Sequence, residues 1–81
     1  MKISILAPDK KIFTGEATAI TLPSVNGSFT ALENHAPIVS LLDKGQILVQ
    51  TSENGEKQAF DIQGGFVEIS DNSVTACIEV Q

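Results

Sequence analysis

The sequence predicts one all-β domain, either a sandwich or a barrel, on three observations. Short runs with β-strand character alternate with turn signals about every 8–12 residues, the pattern of these two architectures. The runs are rich in Ile, Val, Phe and Thr, whose side chains suit a pleated, half-buried surface. A chain of 81 residues is the size of a single domain and has little room for a second core or a deep substrate cleft. We therefore treat residues 1–81 as one domain.

Seven segments are predicted as strands directly from composition and alternation. The clearest is residues 74–80, where apolar side chains recur at every second position. The other six have the same β-branched and aromatic character, and they are Lys2–Ala7, Lys11–Gly15, Ala17–Leu22, Gln46–Thr51, Lys57–Ile62 and Phe66–Ser70.

Turn residues separate these strands. Asn54-Gly55 predicts a tight hairpin because both residues tolerate positive φ, and Asn26-Gly27 and Asp71-Asn72 are weaker signals of the same kind. Pro8-Asp9 and Asp43-Lys44-Gly45 mark two further turns.

Residues 30–42 allow two interpretations. Thr30 and Glu33 have the spacing of a capping box, and the apolar residues that follow could form a helical face. Pro37 lies in the middle, where it would remove a backbone donor from such a helix. We therefore predict a strand over Ser28–Leu32, a bend over Glu33–Pro37 and a strand over Ile38–Leu42.

Charge and cysteine content exclude several kinds of partner. The chain has five cations, all Lys, against ten carboxylates, for a net charge of −5. Binding to nucleic acid or to an anionic membrane needs clustered Lys or Arg, so neither is expected, and neither is direct membrane insertion. With Cys77 as the single cysteine, no internal disulfide can form, which favours a reducing compartment. A charged fraction of 19% is low and hints at a surface covered by a partner.

No arrangement of residues predicts catalysis, a cofactor or a metal site. His35 is the only histidine, and no nucleophile-elbow pattern frames Ser28, Ser40 or Cys77 as its partner. A structural zinc site usually takes four Cys or His ligands, and the chain has two. We expect His35 to pack and hydrogen-bond within its loop or to contact a partner.

Gly64-Gly65 is expected to permit a bulge or a close backbone approach rather than to cradle a phosphate. Glu53 and Glu56 are expected to be solvated at a hairpin tip.

Residues 24–35 stand out because they combine a flexible tip, an aromatic residue and a polar bend. Loops on a rigid scaffold are where binding residues concentrate. On composition alone, a binding role and an ordinary hairpin with a bend are equally favoured.

Sequence marks along nearly the whole chain resemble a known family, the N-terminal β-sandwich domain of the epsilon subunit of F-type ATP synthases, called delta in mitochondria. The most specific are the bend Asn34-His35-Ala36-Pro37 and the strand Gly64-Gly65-Phe66-Val67-Glu68. The others, in chain order, are Ala7-Pro8-Asp9-Lys10, Phe13-Thr14-Gly15-Glu16, Leu22-Pro23, Gly27-Ser28-Phe29, Leu32, Leu42 with Gly45, and Val74-Thr75.

The resemblance implies a fold and a function. The fold is a small β-sandwich of two antiparallel sheets with about ten short strands. The function is that of a non-catalytic rotor subunit in the central stalk of the F1 sector, bridging the gamma subunit and the c-ring so that ion-driven rotation is coupled to ATP synthesis. The location implied is peripheral, on the cytoplasmic side of the inner (plasma) membrane.

The resemblance also implies two contact surfaces. His35, Ser40 and Ala7 are expected to face the gamma subunit, where we expect an exposed apolar patch. The tip formed by Ser24, Val25, Asn26, Gly27, Ser28 and Phe29 is expected to face the polar loops of the c-ring. Some family members carry a carboxylate at the position of Ser28, so no single charge pair is assigned to that contact.

The chain departs from the family at several positions. Ser24 and Thr30 replace glycines that are common there, and Glu33 stands where proline is frequent, which affects local contacts but not the fold. The sequence ends at Gln81, and the C-terminal two-helix domain of the family is expected to be absent.

A second function remains in view. Biotinyl and lipoyl carrier domains have this size and class and carry the cofactor on a hairpin lysine, for which Lys44 is a candidate. Their modification motifs are missing.

Overall fold

The structure is a computed structural model that describes residues 1–52 and 54–80. Within those residues the chain forms nine β-strands and no helix. The strands are β1 (Lys2–Ala7), β2 (Lys10–Glu16), β3 (Ala19–Ser24), β4 (Gly27–Leu32), β5 (Ile38–Leu42), β6 (Gly45–Gln50), β7 (Lys57–Ile62), β8 (Gly64–Ser70) and β9 (Ser73–Glu79). The all-β prediction is confirmed, and Glu53 and Gln81 lie outside the described residues.

The strands form two layers. Sheet I has the order β2-β1-β9-β8-β5, and sheet II has the order β4-β3-β6-β7. The layers join where β3 meets β5 at the pair Ser24 and Leu42, flanked by a bond from the Asp43 amide to the Pro23 carbonyl (2.7 Å). Hydrogen bonding is therefore continuous around a curled sheet that folds back on itself. The pairs are antiparallel except β1 with β9, which run parallel.

The core fills the space between the layers because alternate side chains of each strand point inward. Sheet I contributes Ile3, Ile5, Val67, Ile69, Val74, Ala76 and Ile78, and sheet II contributes Ile20, Leu22, Ala31, Ile47, Val49 and Ile62. Each of these side chains is at most 3% exposed. The core is aliphatic and dense, so the domain acts as a stiff body.

Aromatic rings close the two open edges of the sandwich. Phe13 on β2 and Phe60 on β7 meet across one edge with ring centroids 5.5 Å apart. Phe29 on β4 and His35 in the following bend meet at the other, 6.1 Å apart. Phe13, Phe29 and Phe60 are partly buried against the core. The aromatic side chains therefore cover the core at the two edges of the sandwich, where few or no backbone hydrogen bonds join sheet I to sheet II.

The Asp71-Asn72 turn and the ambiguous segment match the sequence prediction. Asp71 and Asn72 have φ of 52° and 59°, the pair of positive values that a two-residue hairpin turn requires. Gly55 has φ of 89°, but six residues connect Gln50 of β6 to Lys57 of β7, so the tight hairpin predicted at Asn54-Gly55 is wrong. Residues 30–42 form the end of β4, a bend and β5, so the helical interpretation is wrong and the one based on Pro37 is confirmed.

Gly65 shows the closest backbone approach in the described chain. A Cβ atom there would lie 2.2 Å from the Cys77 carbonyl oxygen and 2.8 Å from the Ile78 Cα. Its φ of 144° is also unfavourable for residues with a side chain. The preference for a close approach over a phosphate cradle at Gly64-Gly65 is thus confirmed, because a strand fills the space against Gly65.

Candidate functional site

The bend at residues 33–37 holds His35 half-buried beside the edge of the sandwich. The His35 amide donates to the Leu32 carbonyl (3.2 Å), and the Asn34 amide donates to Asn72 Oδ1 in the β8–β9 turn (2.7 Å). His35 Nδ1 lies 2.7 Å from the Ala36 carbonyl oxygen and must donate there, because a carbonyl can only accept. The expected packing and hydrogen bonding of His35 within its loop is confirmed.

Glu33, one of the departures from the family pattern, has a defined contact. Its carboxylate pairs with the Met1 ammonium group, which also donates to the Ala17 carbonyl (2.9 Å). The contact ties the bend to the start of β1.

Ser40 lies on the inward-facing side of β5, opposite Val67 of β8. Its hydroxyl is 2.7 Å from the hydroxyl of Ser24, at the point where β3 meets β5. Ser24 was assigned to the ring-facing tip and Ser40 to the gamma-facing surface. A hydrogen bond therefore joins one residue of each predicted surface. Phe29 of the tip and His35 of the gamma-facing set are also in contact.

The tip between β3 and β4 has an exposed end and a fixed base. Val25, Asn26, Gly27 and Ser28 are exposed, whereas Ser24 and Phe29 are half-buried. The Asn26 amide donates to Ser24 Oγ (3.3 Å), and Gly27 has φ of 118°. Ser28 Oγ donates to the Leu22 carbonyl (3.3 Å), so the tip is held to its own strands.

The outer face of sheet I carries a continuous apolar surface. The strand registers align Leu41 with Phe66, Phe66 with Cys77, and Cys77 with Leu6, so these four side chains form one row across β5, β8, β9 and β1. Val39 lies beside the row on β5. Val39 is 70% exposed, Leu41 63% and Phe66 46%. We call Leu6, Val39, Leu41, Phe66 and Cys77 the apolar face.

Ala7, the third residue predicted to face gamma, borders this apolar face. It lines a shallow groove of about 430 Å³ together with Leu6, Pro8, Phe66 and Cys77. Ala7 is thus separate from His35 and Ser40, which belong to the edge and the interior side of the sandwich.

Sequence reasoning predicted an exposed apolar patch but named none of its residues except the neighbouring Ala7. The missed signal is in β5 and β8. Residues 38–42 are apolar at four of five positions, so β5 shows no alternation, which is the composition of a strand that is covered on both faces. Phe66 breaks the alternation of β8 in the same way, since its neighbour Val67 points inward.

The outer face of sheet II differs. Thr21 and Thr30 are hydrogen-bonded through their hydroxyls (2.8 Å), and Gln46 Nε2 donates to Asp61 Oδ1 (2.9 Å). We call Thr21, Thr30, Gln46, Gln50 and Asp61 the polar face. The same outer side also carries Leu48, which is half-buried, and Leu32 on β4, which is 61% exposed.

The family model for the ATP synthase delta/epsilon chain, beta-sandwich domain, matches residues 1–80. The chain belongs to this family. The resemblance found in the sequence is confirmed over nearly the whole chain, and the match is to this family and not to a biotinyl or lipoyl carrier domain. Lys44, the residue that a carrier would modify, is exposed in the turn after β5, where its amide donates to the Asp43 carboxylate (2.9 Å).

Individual relatives agree with the family match. The chain is 43% identical over 75 residues to the chloroplastic ATP synthase epsilon chain of Tetradesmus obliquus, covering 93% of this chain and 54% of that one. It is 35% identical over 78 residues to the ATP synthase epsilon chain of Chlorobium limicola, covering 96% and 88%. The chain therefore spans about half the length of the Tetradesmus relative and most of the Chlorobium relative.

A solved structure shares this fold. A chain in the cryo-EM structure of the Euglena gracilis mitochondrial ATP synthase, comprising OSCP, F1 and c-ring, superposes with a TM-score of 0.85 at 28% identity. The match covers 94% of this chain and 48% of that one.

The described part of the chain contains no helix with the length and apolar character needed to cross a membrane.

Proposed function

We propose that this epsilon-family domain is a non-catalytic rotor component of an F-type ATP synthase, and that its apolar face binds the gamma subunit. The observation that carries the proposal is the row Leu41, Phe66, Cys77 and Leu6, which exposes apolar side chains across four strands. Isolated exposed apolar residues are common, but a contiguous group marks an interaction surface. Family membership supplies the partner, since the relatives named above are ATP synthase epsilon chains and the Euglena assembly contains F1 and a c-ring.

The tip of the β3–β4 hairpin is the proposed contact with the c-ring. Its exposed residues 25–28 form the turn and the first two positions of β4, and they are uncharged. Their backbone groups and the Asn26 and Ser28 side chains suit hydrogen bonding to polar loops. We place the domain at the membrane surface on the cytoplasmic side, as part of the F1 sector.

The size of the domain is compatible with two contacts. Its accessible surface is 4829 Å². Two interfaces of about 800 Å² on this chain would cover roughly a third of that area. A stiff sandwich held between two partners transmits torque because its core and its strand pairing resist deformation. The role is mechanical and needs no reacting group.

The test is size-exclusion chromatography of the chain with the gamma subunit of the same organism. We expect co-elution at one-to-one stoichiometry. Leu41→Asp places a charge in the middle of the apolar face and should abolish co-elution. Ala59→Asp places the same charge on an exposed position of β7, on the outer side of sheet II, and should leave co-elution intact.

Two results would contradict the proposal. Separate elution of the unmodified chain from a folded gamma subunit would remove gamma as the partner. Co-elution that survives Leu41→Asp but is lost in His35→Glu would keep the partner and move the contact from the apolar face to the bend at residues 33–37.

A further inference from the structure

The carboxylate of Glu68 lies among the side chains of the apolar face. Glu68 points outward from β8, where its register partners are Val39 on β5 and Thr75 on β9. It is exposed, and it is two residues from Phe66 on the same strand. Since β8 lies inside sheet I, between β5 and β9, a partner that covers the row from Leu41 to Leu6 also covers Glu68.

The positions around Glu68 on the outer face carry no charge. They are Val39 and Leu41 on β5, Phe66 and Ser70 on β8, and Ser73, Thr75 and Cys77 on β9. Within residues 1–52 and 54–80, ion pairs are formed only by the Met1 ammonium group, with Glu16 and Glu33. By the strand registers, the Cα atom of Lys2 lies two strands away at about 12 Å. No ion pair within the described residues involves Glu68.

Glu79, on the same face, is in a different situation. Its carboxylate lies over Gly64, with Oε1 3.7 Å from the site of a Cβ atom there, and it lines a surface depression together with Lys10. Asp9 lines the same depression, and Glu79 stands at the end of β9. Glu68 instead lies within β8, between Val39 and Thr75, so it is the carboxylate that a partner covering the row from Leu41 to Leu6 must satisfy.

Covering Glu68 with an apolar surface would remove its water without replacement, a cost of several kcal/mol for a carboxylate. A Lys or Arg opposite it would replace the lost water with a charge-assisted hydrogen bond. We infer that Glu68 is a specificity-determining contact of the apolar face, and that it accepts a hydrogen bond from a Lys or Arg that the gamma subunit presents beside its own apolar strip. This inference rests on the proposed function, because it names the chemistry of the partner at the same surface.

The arrangement separates two properties of the interface. The apolar row supplies contact area and responds little to salt. The Glu68 contact selects the partner surface that carries a cation at the matching place, and it disfavours apolar surfaces that lack one.

The test is a titration of the gamma subunit of the same organism, at low and at high ionic strength, with three forms of the full chain. Glu68→Gln keeps the size of the side chain and removes the charge, and it should weaken binding by about tenfold or more. Its affinity should also depend less on salt than that of the unmodified chain. Glu68→Lys should bind more weakly than Glu68→Gln, because it opposes the partner's cation. Glu56→Gln removes an exposed carboxylate next to sheet II and should bind like the unmodified chain.

The outcomes distinguish the inference from the proposal beneath it. If the unmodified chain binds gamma, Leu41→Asp does not, and Glu68→Gln binds normally with unchanged salt dependence, the inference is overturned and the gamma contact stands. If the unmodified chain does not bind a folded gamma subunit, both fall. Thermal unfolding of each variant confirms that it is folded, which is expected because residue 68 is exposed.

Discussion

The two outer faces of the sandwich have the same strand geometry and differ in how their side chains are paired. On the polar face, side chains form hydrogen bonds in pairs, Thr21 with Thr30 and Gln46 with Asp61. On the apolar face, Leu41 and Phe66 are in register but are 63% and 46% exposed. Both sheets bury their inner sides equally well, so the difference does not arise from the needs of the fold.

This difference indicates which part of the sequence suits contact with a partner. An antiparallel sheet with one face in water normally alternates apolar and polar side chains, as β9 does with Val74 and Ala76 inward and Ser73 and Thr75 outward. β5 does not alternate, because Val39 and Leu41 add apolar side chains on the outside. A strand that is apolar on both sides is stable in contact with something on both sides, and the free domain covers only one.

The largest predicted effect concerns the backbone that supports the apolar face. Gly65→Ala should lower the free energy of unfolding by about 4 kcal/mol or more, because the new Cβ meets the backbone of β9 rather than a side chain that could move. The melting temperature should fall by ~15 °C or more, measured by circular dichroism.

Gly55→Ala is the matched control for this prediction. Gly55 has φ of 89° but no atom within 4 Å of an added Cβ, so its cost should be limited to backbone strain of about 1 kcal/mol. Equal losses in the two variants would mean that strain, and not the close approach to β9, decides the cost at Gly65.

The second prediction concerns the replacement of two exposed apolar side chains of the apolar face by polar ones, which should leave the fold unchanged. The double variant Leu41→Thr, Phe66→Thr should weaken gamma binding by about 100-fold, or ~2.8 kcal/mol. Its free energy of unfolding should change by about 0.5 kcal/mol or less per site, because both side chains are exposed. In the free chain, the fluorescence of a hydrophobic dye such as ANS should fall with the loss of these side chains.

Leu48→Thr provides the contrast on the outer side of sheet II. Leu48 is half-buried and opposite Thr21 and Ala59, so its replacement should leave dye fluorescence and gamma binding unchanged. Dye fluorescence that falls equally in both variants would show that the two faces do not differ as the structure indicates.

Much of the fold follows from local sequence signals. Asp71-Asn72 predicts its hairpin because few residues accept two successive positive φ values, and Pro37 excludes a helix because it removes a donor. The pairing of β1 with β9 is different, since nothing in residues 2–7 or 73–79 specifies a parallel partner distant in sequence. That pairing depends on how the two sheets close around the core, a property of the whole chain.

The candidate site was predicted less completely than the fold, for a physical reason. His35 and Ser40 stand out as residue types, but their polar atoms are already hydrogen-bonded within the chain, to Ala36 and to Ser24. Val39, Leu41 and Phe66 have the composition of core residues, and only the register shows that they point outward. Whether His35, Ser40 and Ala7 face gamma, and whether residues 24–29 face the c-ring, stays a prediction.

The smallest predicted effect tests the seam between the sheets, where the two predicted contact surfaces meet. Ser40→Ala removes the half-buried hydrogen bond to Ser24 and should cost about 1 kcal/mol of unfolding free energy. Ser24→Ala should cost a similar amount, and the double variant should cost little more than either alone, because the same bond is lost in all three. Thr21→Val, which breaks the exposed bond to Thr30, should cost only about 0.5 kcal/mol or less, because water replaces the lost partner.

Additive losses at Ser24 and Ser40 in chemical denaturation would show that the two hydroxyls act independently. A coupled pair would mean that the hairpin proposed to meet the c-ring is held directly by a strand of the sheet proposed to meet gamma, so that a load on one reaches the other through the seam.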